Sequence, residues 1–385
     1  MIPYGRQDIR QENIDAVIEV LKSDFITQGP VVPEFEKGVA EKVNAKYGVA
    51  VNSGTSALHI ACMALGLGKG DILWTVPNTF VASANCGRYC GADVDFVDID
   101  PYTWNMSVSK LEEKLIQAKK NYSLPKIVVP VHFAGQPTEQ EKIKELSEKY
   151  GFYILEDASH SIGASRNGEP IGSCKWSDIT VFSFHPVKII TTAEGGMAMT
   201  NYPELAKKMS MLRTHGITRD PKHLHNENPE PWYYEQQMLG YNYRMTELQA
   251  ALGLSQLKRL EEYVGRRNLL ADRYNKELKD LPLQLPAVNE SNHSAYHLYV
   301  IRVINERVNK KHREIFERLR NCGIGVNLHY MPIHLQPYYN NLGFLEGQFP
   351  EAERHSREAI TIPLYPKMTE DEQNKVISVI HEVIE

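Results

Sequence analysis

Residues 179–200 read ITVFSFHPVKIITTAEGGMAMT. An apolar run, ITVFSF, passes into a turn carrying His185, Pro186 and Lys188, and the Gly195-Gly196 pair then opens a second run, GMAMT. Runs this short and this continuously apolar suit strands buried on both faces. Working back toward residue 48, the same kind of run recurs as GVAVNS, DILWTVP, DVDFVDI, KIVVPVHF and FYILED, with helical patterns such as TSALHIACMALGL and FVASANCGRYCG between them. This alternation predicts an α/β fold built on a mainly parallel sheet.

Working forward, the polar, Pro- and His-rich stretch from Pro221 to Trp232 reads as an exposed loop or lid. Residues 243–278, YRMTELQAALGLSQLKRLEEYVGRRNLLADRYNKEL, keep one helical periodicity with Thr246 as a cap, which predicts a long linking helix. Beyond it YHLYVIRV and IGVNLHY read as strands, and KKHREIFERLR and TEDEQNKVISVIHEVIE as helices of a smaller C-terminal α/β domain. The expected division is 1–245, an N-terminal arm and large domain, and 246–385, the linking helix and small domain. A length of 385 residues suits two or three compact units.

The bulk numbers narrow the function. Lys plus Arg total 43 against 48 Asp plus Glu, and a net charge of −5 offers no long-range attraction to nucleic acid or an anionic membrane. The opening MIPYGRQDIRQENID lacks the basic-then-apolar form of a secretory signal, and no apolar stretch approaches the ~18 residues of a membrane span. Five cysteines, Cys86 and Cys90 among them, form neither a disulfide framework nor a metal set, so reduced thiols in a cytoplasm and no metal are expected.

Three constellations could carry chemistry. At Val51-Asn52-Ser53-Gly54-Thr55-Ser56 a strand runs into a helix start, where free N–H groups and hydroxyls form a phosphate site, or else only a good N-cap. At Leu155-Glu156-Asp157-Ala158-Ser159-His160 a strand ends in acidic residues at the sheet's carboxyl edge, where ligands of open α/β sheets sit; an Asp capping its own loop is the alternative. At Ser183 to Lys188 a buried strand delivers an amine into a turn, and a desolvated amine is disposed to act as a nucleophile toward carbonyls. Lysine, strand-end aspartate and helix-start phosphate site are the three things pyridoxal phosphate (PLP) requires.

Their order, with 31 positions between Asp157 and Lys188, resembles that of fold type I PLP-dependent transferases, the aspartate aminotransferase-like fold. NSGTSAL, PNTFVASAN, EDASHSIGA, VFSFHPVK, TTAEGGM and LGYNYRMTELQAALGLSQL resemble the DegT/StrS family of nucleotide-sugar aminotransferases over nearly the whole chain. The resemblance implies that Lys188 carries the cofactor and shuttles protons, and that Asp157 meets the pyridinium nitrogen. It further implies that Gly54, Thr55 and Ser183 hold the phosphate, that Phe80 stacks on the ring, and that His160 lies near the phenolic oxygen. Asn242, beside Arg244, would reach the phosphate of the other subunit, which implies a homodimer with shared sites.

Within the family the likeness is strongest to enzymes that aminate a UDP-linked 4-keto-6-deoxy amino sugar at C4 in pseudaminic acid biosynthesis. TTAEGG stands where many relatives have TTGEGG, and Ser291 to Tyr299 and LHYMPIH are further pointers. Tyr4, Asp24, Phe25, Ile26, Thr27, Leu328, His329, Tyr330 and Met331 would then line the sugar-nucleotide site, with Met331 standing where some such enzymes have Lys. L-Glutamate would be the amino donor. The open alternatives are amination at C3 or of another dTDP- or GDP-linked keto sugar, and a PLP-binding regulatory protein without turnover.

Overall fold

The computed structural model describes residues 1–308 and 310–384. Helices α1 (Gln11–Lys22) and α2 (Val31–Val43) precede strand β1 (Tyr47–Val51) and helix α3 (Gly54–Ala64). Strand β2 (Ile72–Thr75), helix α4 (Ala82–Tyr89), and strands β3 (Asp93–Phe96), β4 (Ile127–Val128) and β5 (Tyr153–Asp157) follow. A small sheet of β6 (Ser165–Arg166), β7 (Glu169–Pro170) and, from far along the chain, β13 (Asn292–His293) stands apart, and β8 (Ile179–Ser183) and β9 (Gly196–Thr200) return to the main sheet.

Among the described residues that sheet has seven strands in the order β1-β9-β8-β5-β4-β2-β3. Pairing is parallel from β8 through β5, β4 and β2 to β3, while β9 is antiparallel to both β1 and β8. β9 therefore runs against the other strands. The run GMAMT is buried on both faces, so its composition predicts a central strand without fixing its direction.

A consequence for the site follows directly. The carboxyl ends of β1, β2, β5 and β8 lie along one edge, and from that edge leave Ser53-Gly54, Thr79-Phe80, Asp157 and Ser183. Open α/β sheets bind ligands off this edge. Leu58, Leu73, Trp74, Phe96, Leu155 and Val181 pack into the core beneath it.

A second core, with Tyr274, Tyr299, Ile301, Ile315, Ile360 and Val376, surrounds the sheet of β12 (Leu283–Gln284), β14 (Tyr299–Val303) and β15 (Ala359–Ile362). Two expectations are corrected here. The long linking helix is two helices, Glu247–Leu257 and Leu260–Glu277, because Arg259 leaves helical geometry (φ −111°, ψ 11°) and sends its guanidinium to Asp8 and Glu262. IGVNLHY is no regular strand. Its backbone is shared between two isolated bridges: Ile2 donates to Gly323 O at 2.8 Å and accepts from Gly325 N–H at 2.7 Å, Asn327 exchanges bonds with Thr361 of β15 at 3.1 and 2.8 Å, and the segment then turns into the cavity wall. The polar stretch around Pro221–Trp232 lies between β10 (Ile217–Thr218) and β11 (Glu235–Gln236), a two-stranded ribbon, and is largely exposed.

The TTAEGG variant has a conformational cost. Ala193 is held at φ +67°, its N–H on Thr191 Oγ1 at 3.0 Å, a left-handed conformation that disfavours a side chain with Cβ. Such a residue costs roughly 1–2 kcal/mol, partly offset by the extra chain entropy that glycine loses on folding. We expect Ala193→Gly to stabilise the protein by about 0.5–1 kcal/mol in urea unfolding. A loss of stability would mean that residue 193 is not left-handed in solution.

Candidate active site

The lysine loop is pinned at both ends to one buried residue. Phe184, fully buried after the end of β8, accepts at its carbonyl from Thr192 N–H (3.0 Å) and from Thr191 Oγ1 (2.9 Å). Lys188 stands between these anchors, its N–H on His185 O at 2.9 Å. Burial disfavours the ammonium and pushes its pKa from 10.5 down to about 8, against the opposing pull of the Asp157 carboxylate. Lys188 is partly exposed, and its side chain borders the cavity.

Asp157 ends β5 and is 5% exposed. Its Oδ1 accepts from Ser159 N–H at 3.1 Å and its Oδ2 from the Ser83 hydroxyl at 2.6 Å. Phe80, at the entry to α4, leaves its ring 59% exposed at the cavity. At the end of β1, Ser53 adopts extended geometry and caps α3 by accepting Ser56 N–H at 3.1 Å. Gly54 is required because a Cβ there would lie 2.9 Å from Ser183 Cβ; without one, the head of α3 rests on the end of β8.

The opposite wall is built of imidazoles. His160 Nδ1 accepts from Ala134 N–H at 3.3 Å, which leaves the ring proton on Nε2, 3.2 Å from Tyr330 Oη. The His297 ring lies 4.4 Å from that of His160, and His329, hydrogen-bonded to Thr361 Oγ1 at 2.8 Å, packs against Tyr4. Burial, reinforced by neighbouring charge that includes Lys188, pushes His160 and His297 well below the ordinary imidazole range, and His329 to about 3. All three are neutral near pH 7.

These groups enclose a cavity of about 980 Å³. Of the residues singled out from sequence, Gly54, Thr55, Phe80, Asp157, His160, Ser183 and Lys188 line it, with Tyr4, Leu328, His329 and Tyr330. Asp24, Phe25, Ile26, Thr27, Met331 and Asn242 are not among its lining residues; Phe25, Ile26 and Met331 are more than half exposed, and Asn242 pairs with Thr214. Ser83, His297, Glu194 and Gln249 were missed. Ser83 lies one helical turn beyond Phe80 in PNTFVASAN, and His297 lies in the HLY pointer, so both stood inside quoted motifs without a role. Among the described residues lining the cavity, Lys188 is the only lysine or arginine. No group of three or more His, Cys, Asp and Glu among the described residues could hold a metal, and no described helix is long and apolar enough to cross a membrane.

The donor set fits PLP. An amine of lowered pKa suits its aldehyde, a buried carboxylate its ring nitrogen, an uncovered aromatic its ring face, and a capped helix start with hydroxyls its phosphate. The neutral amine is the nucleophile, and it is populated as pH rises through about 8. We therefore expect cofactor-free enzyme mixed with PLP to gain its visible band faster as pH climbs from about 6.5 to 8, then to level off. Lys188→Ala should develop no such band. A rate that is flat across this range would contradict the lowered pKa.

Residues 7–381 match the DegT/DnrJ/EryC1/StrS aminotransferase family. The chain is 38% identical over its full length to the spore coat polysaccharide biosynthesis protein SpsC of Bacillus subtilis, covering 97% of it. It is 36% identical, again over its full length, to the UDP-4-amino-4,6-dideoxy-N-acetyl-beta-L-altrosamine transaminase of Campylobacter jejuni, covering 98% of it. Among solved structures, PseC of Helicobacter pylori, an aminotransferase involved in the biosynthesis of pseudoaminic acid, superposes with a TM-score of 0.91 at 30% identity, over 100% of this chain and 99% of that one. A similar solved sugar aminotransferase is in its PLP form. The chain is a PLP-dependent sugar aminotransferase of fold type I and belongs to the DegT/DnrJ/EryC1/StrS aminotransferase family.

Proposed function

We propose that the enzyme aminates C4 of a UDP-linked 4-keto-6-deoxy amino sugar, with L-glutamate as donor, in the biosynthesis of pseudaminic acid or a related surface glycan. The full-length similarity to the Campylobacter jejuni transaminase carries this reading. The relative named for spore coat polysaccharide supports a second one, amination of another nucleotide-linked keto sugar.

When bound, PLP supplies an aldehyde that takes up an amine covalently and a ring that draws electrons from the adjacent carbon. Lys188 would hold the cofactor, and its Nζ, bordering the cavity, would be the group that takes up and returns a proton beside the sugar carbon. Asp157 would meet the ring nitrogen and favour its protonated form, Phe80 would support one ring face, and Gly54, Thr55 and Ser183 would hold the phosphate. His160, whose Nε2 lies 3.2 Å from Tyr330 Oη, would stand near the cofactor's phenolic oxygen. Tyr4, Leu328, His329 and Tyr330 form the sugar side of the cavity.

The enzyme acts as a homodimer that shares its sites. With Lys188 the only lysine or arginine among the described residues lining the cavity, the substrate's diphosphate calls for positive charge from elsewhere. Asn242 and Arg244, with Asp24 to Thr27 and Met331, are read as reaching a partner's site or framing its mouth. Exposed Trp232 and Leu239, 74% and 73% accessible, are further apolar surface for a second copy to cover.

Three experiments test the reading. Incubation with glutamate and a panel of UDP-, GDP- and dTDP-linked 4-keto sugars should give an aminated product by mass from the UDP-linked 4-keto-6-deoxy amino sugar first; preference for another sugar favours the second reading. Removing one partner of a buried charge pair typically costs about 3–5 kcal/mol, so Asp157→Asn should lower kcat by about 10²–10⁴-fold in a folded protein. Near-normal turnover would displace Asp157 from the ring nitrogen. Mixing inactive Lys188→Ala and Asn242→Asp chains should restore activity, since one site of the mixed dimer then holds both native residues. No recovery after confirmed subunit exchange would show that each chain completes its own site.

A further inference from the structure

Ser83 is fully buried in the first turn of α4, and its hydroxyl meets three oxygens: Asp157 Oδ2 at 2.6 Å, Thr79 Oγ1 at 2.9 Å and Phe80 O at 3.3 Å. A serine has one proton to give. An ionised carboxylate can only accept, so the shortest of the three contacts takes the Ser83 proton. Between Ser83 and Thr79 the donor must then be Thr79. The result is a directed chain, Thr79 to Ser83 to Asp157, in which each O–H dipole polarises the next toward the carboxylate.

Chain geometry ties this relay to the ring site. Thr79 and Ser83 are four residues apart at the start of α4, and Phe80 lies between them with its ring at the cavity. Asp157 arrives from β5, a different element, with its other oxygen on Ser159 N–H. The segment that presents the aromatic thus also grips the carboxylate. With Oδ1 and Oδ2 both engaged, rotation of the carboxyl group about its Cβ–Cγ bond breaks at least one charge-assisted hydrogen bond.

We propose that Ser83, backed by Thr79, is a positioning residue that fixes the orientation of Asp157 toward the ring nitrogen of PLP. The inference rests on the placement of Asp157 given above. It assigns to one segment the registration of two ring contacts, the carboxylate at the nitrogen and the aromatic at the face. Electron withdrawal through the ring depends on that registration, whereas the sugar side of the cavity does not.

The test is Ser83→Ala alongside Ser83→Thr and Thr79→Val. Hydrogen bonds to charged groups are strong enough that Ser83→Ala should weaken PLP binding and lower kcat by about tenfold to a hundredfold. The visible band of the bound cofactor should change its position or its pH midpoint, and KM for the sugar nucleotide should stay put. Ser83→Thr should recover the band. Thr79→Val, which keeps the shape but removes the donor, should shift the band in the same direction by less; it carries the test alone if Ser83→Ala does not fold. An unchanged band, PLP affinity and kcat in Ser83→Ala, or in Thr79→Val should that variant stand alone, overturns the proposal. If Asp157→Asn is crippling while Ser83→Ala is silent, the role of Ser83 fails by itself. If Asp157→Asn is also silent, the placement of Asp157 fails and takes this inference with it.

Discussion

Lys188 must be buried deeply enough to lose its proton near neutral pH, and it must still keep a carboxylate within electrostatic reach. The two demands oppose each other. Burial pushes the amine's pKa down, Asp157 pulls it up, and the balance stands at about 8. Neighbouring positive charge would tip it further, and the wall avoids adding any: His160, His297 and His329 are buried and neutral near pH 7. The sheet meets the same constraint geometrically. β5 and β8 are adjacent and parallel, so their carboxyl ends bring the carboxylate and the lysine loop to one edge.

The wall of neutral imidazoles also shapes what the cavity can recognise. Neutral rings offer directed hydrogen bonds, which suit hydroxyl and carbonyl groups of a sugar, while anionic groups gain little from them. On the proposed reading, the buried wall would meet the sugar, while the substrate's diphosphate would need cations beyond the residues that line the cavity.

How much was legible in the sequence depended on whether a feature was local. Lys188, Asp157 and Gly54 each sit at a strand end whose apolar run announces it, and the α/β alternation follows from the same runs. Ser83 was invisible as a partner of Asp157 because 74 positions separate them, and nothing in FVASAN says which side of α4 faces β5. The break at Arg259 was hidden because the helical periodicity continues across it, while its guanidinium meets Asp8, a residue far upstream. IGVNLHY has strand composition, yet its bonds are split between Ile2 at one end and Thr361 at Asn327, partners that lie far away in the chain. The direction of β9 was equally unreadable, since burial on both faces gives the same composition to parallel and antiparallel strands.

The clasp between Ile2 and the segment 323–325 has a consequence for the order in which the enzyme is made. Ile2 and Gly323 are 321 positions apart (323 − 2), and Tyr4, which lines the cavity beside His329, is carried by that clasp. At ribosomal speeds of about 5–20 residues per second, the early segment waits on the order of tens of seconds for its partner to emerge. A nascent chain stalled before that point already holds Lys188 and Asp157, but one wall of its cavity is missing. On the ribosome, the Tyr4 side of the cavity comes together with His329 and Tyr330 only long after the lysine loop has been made.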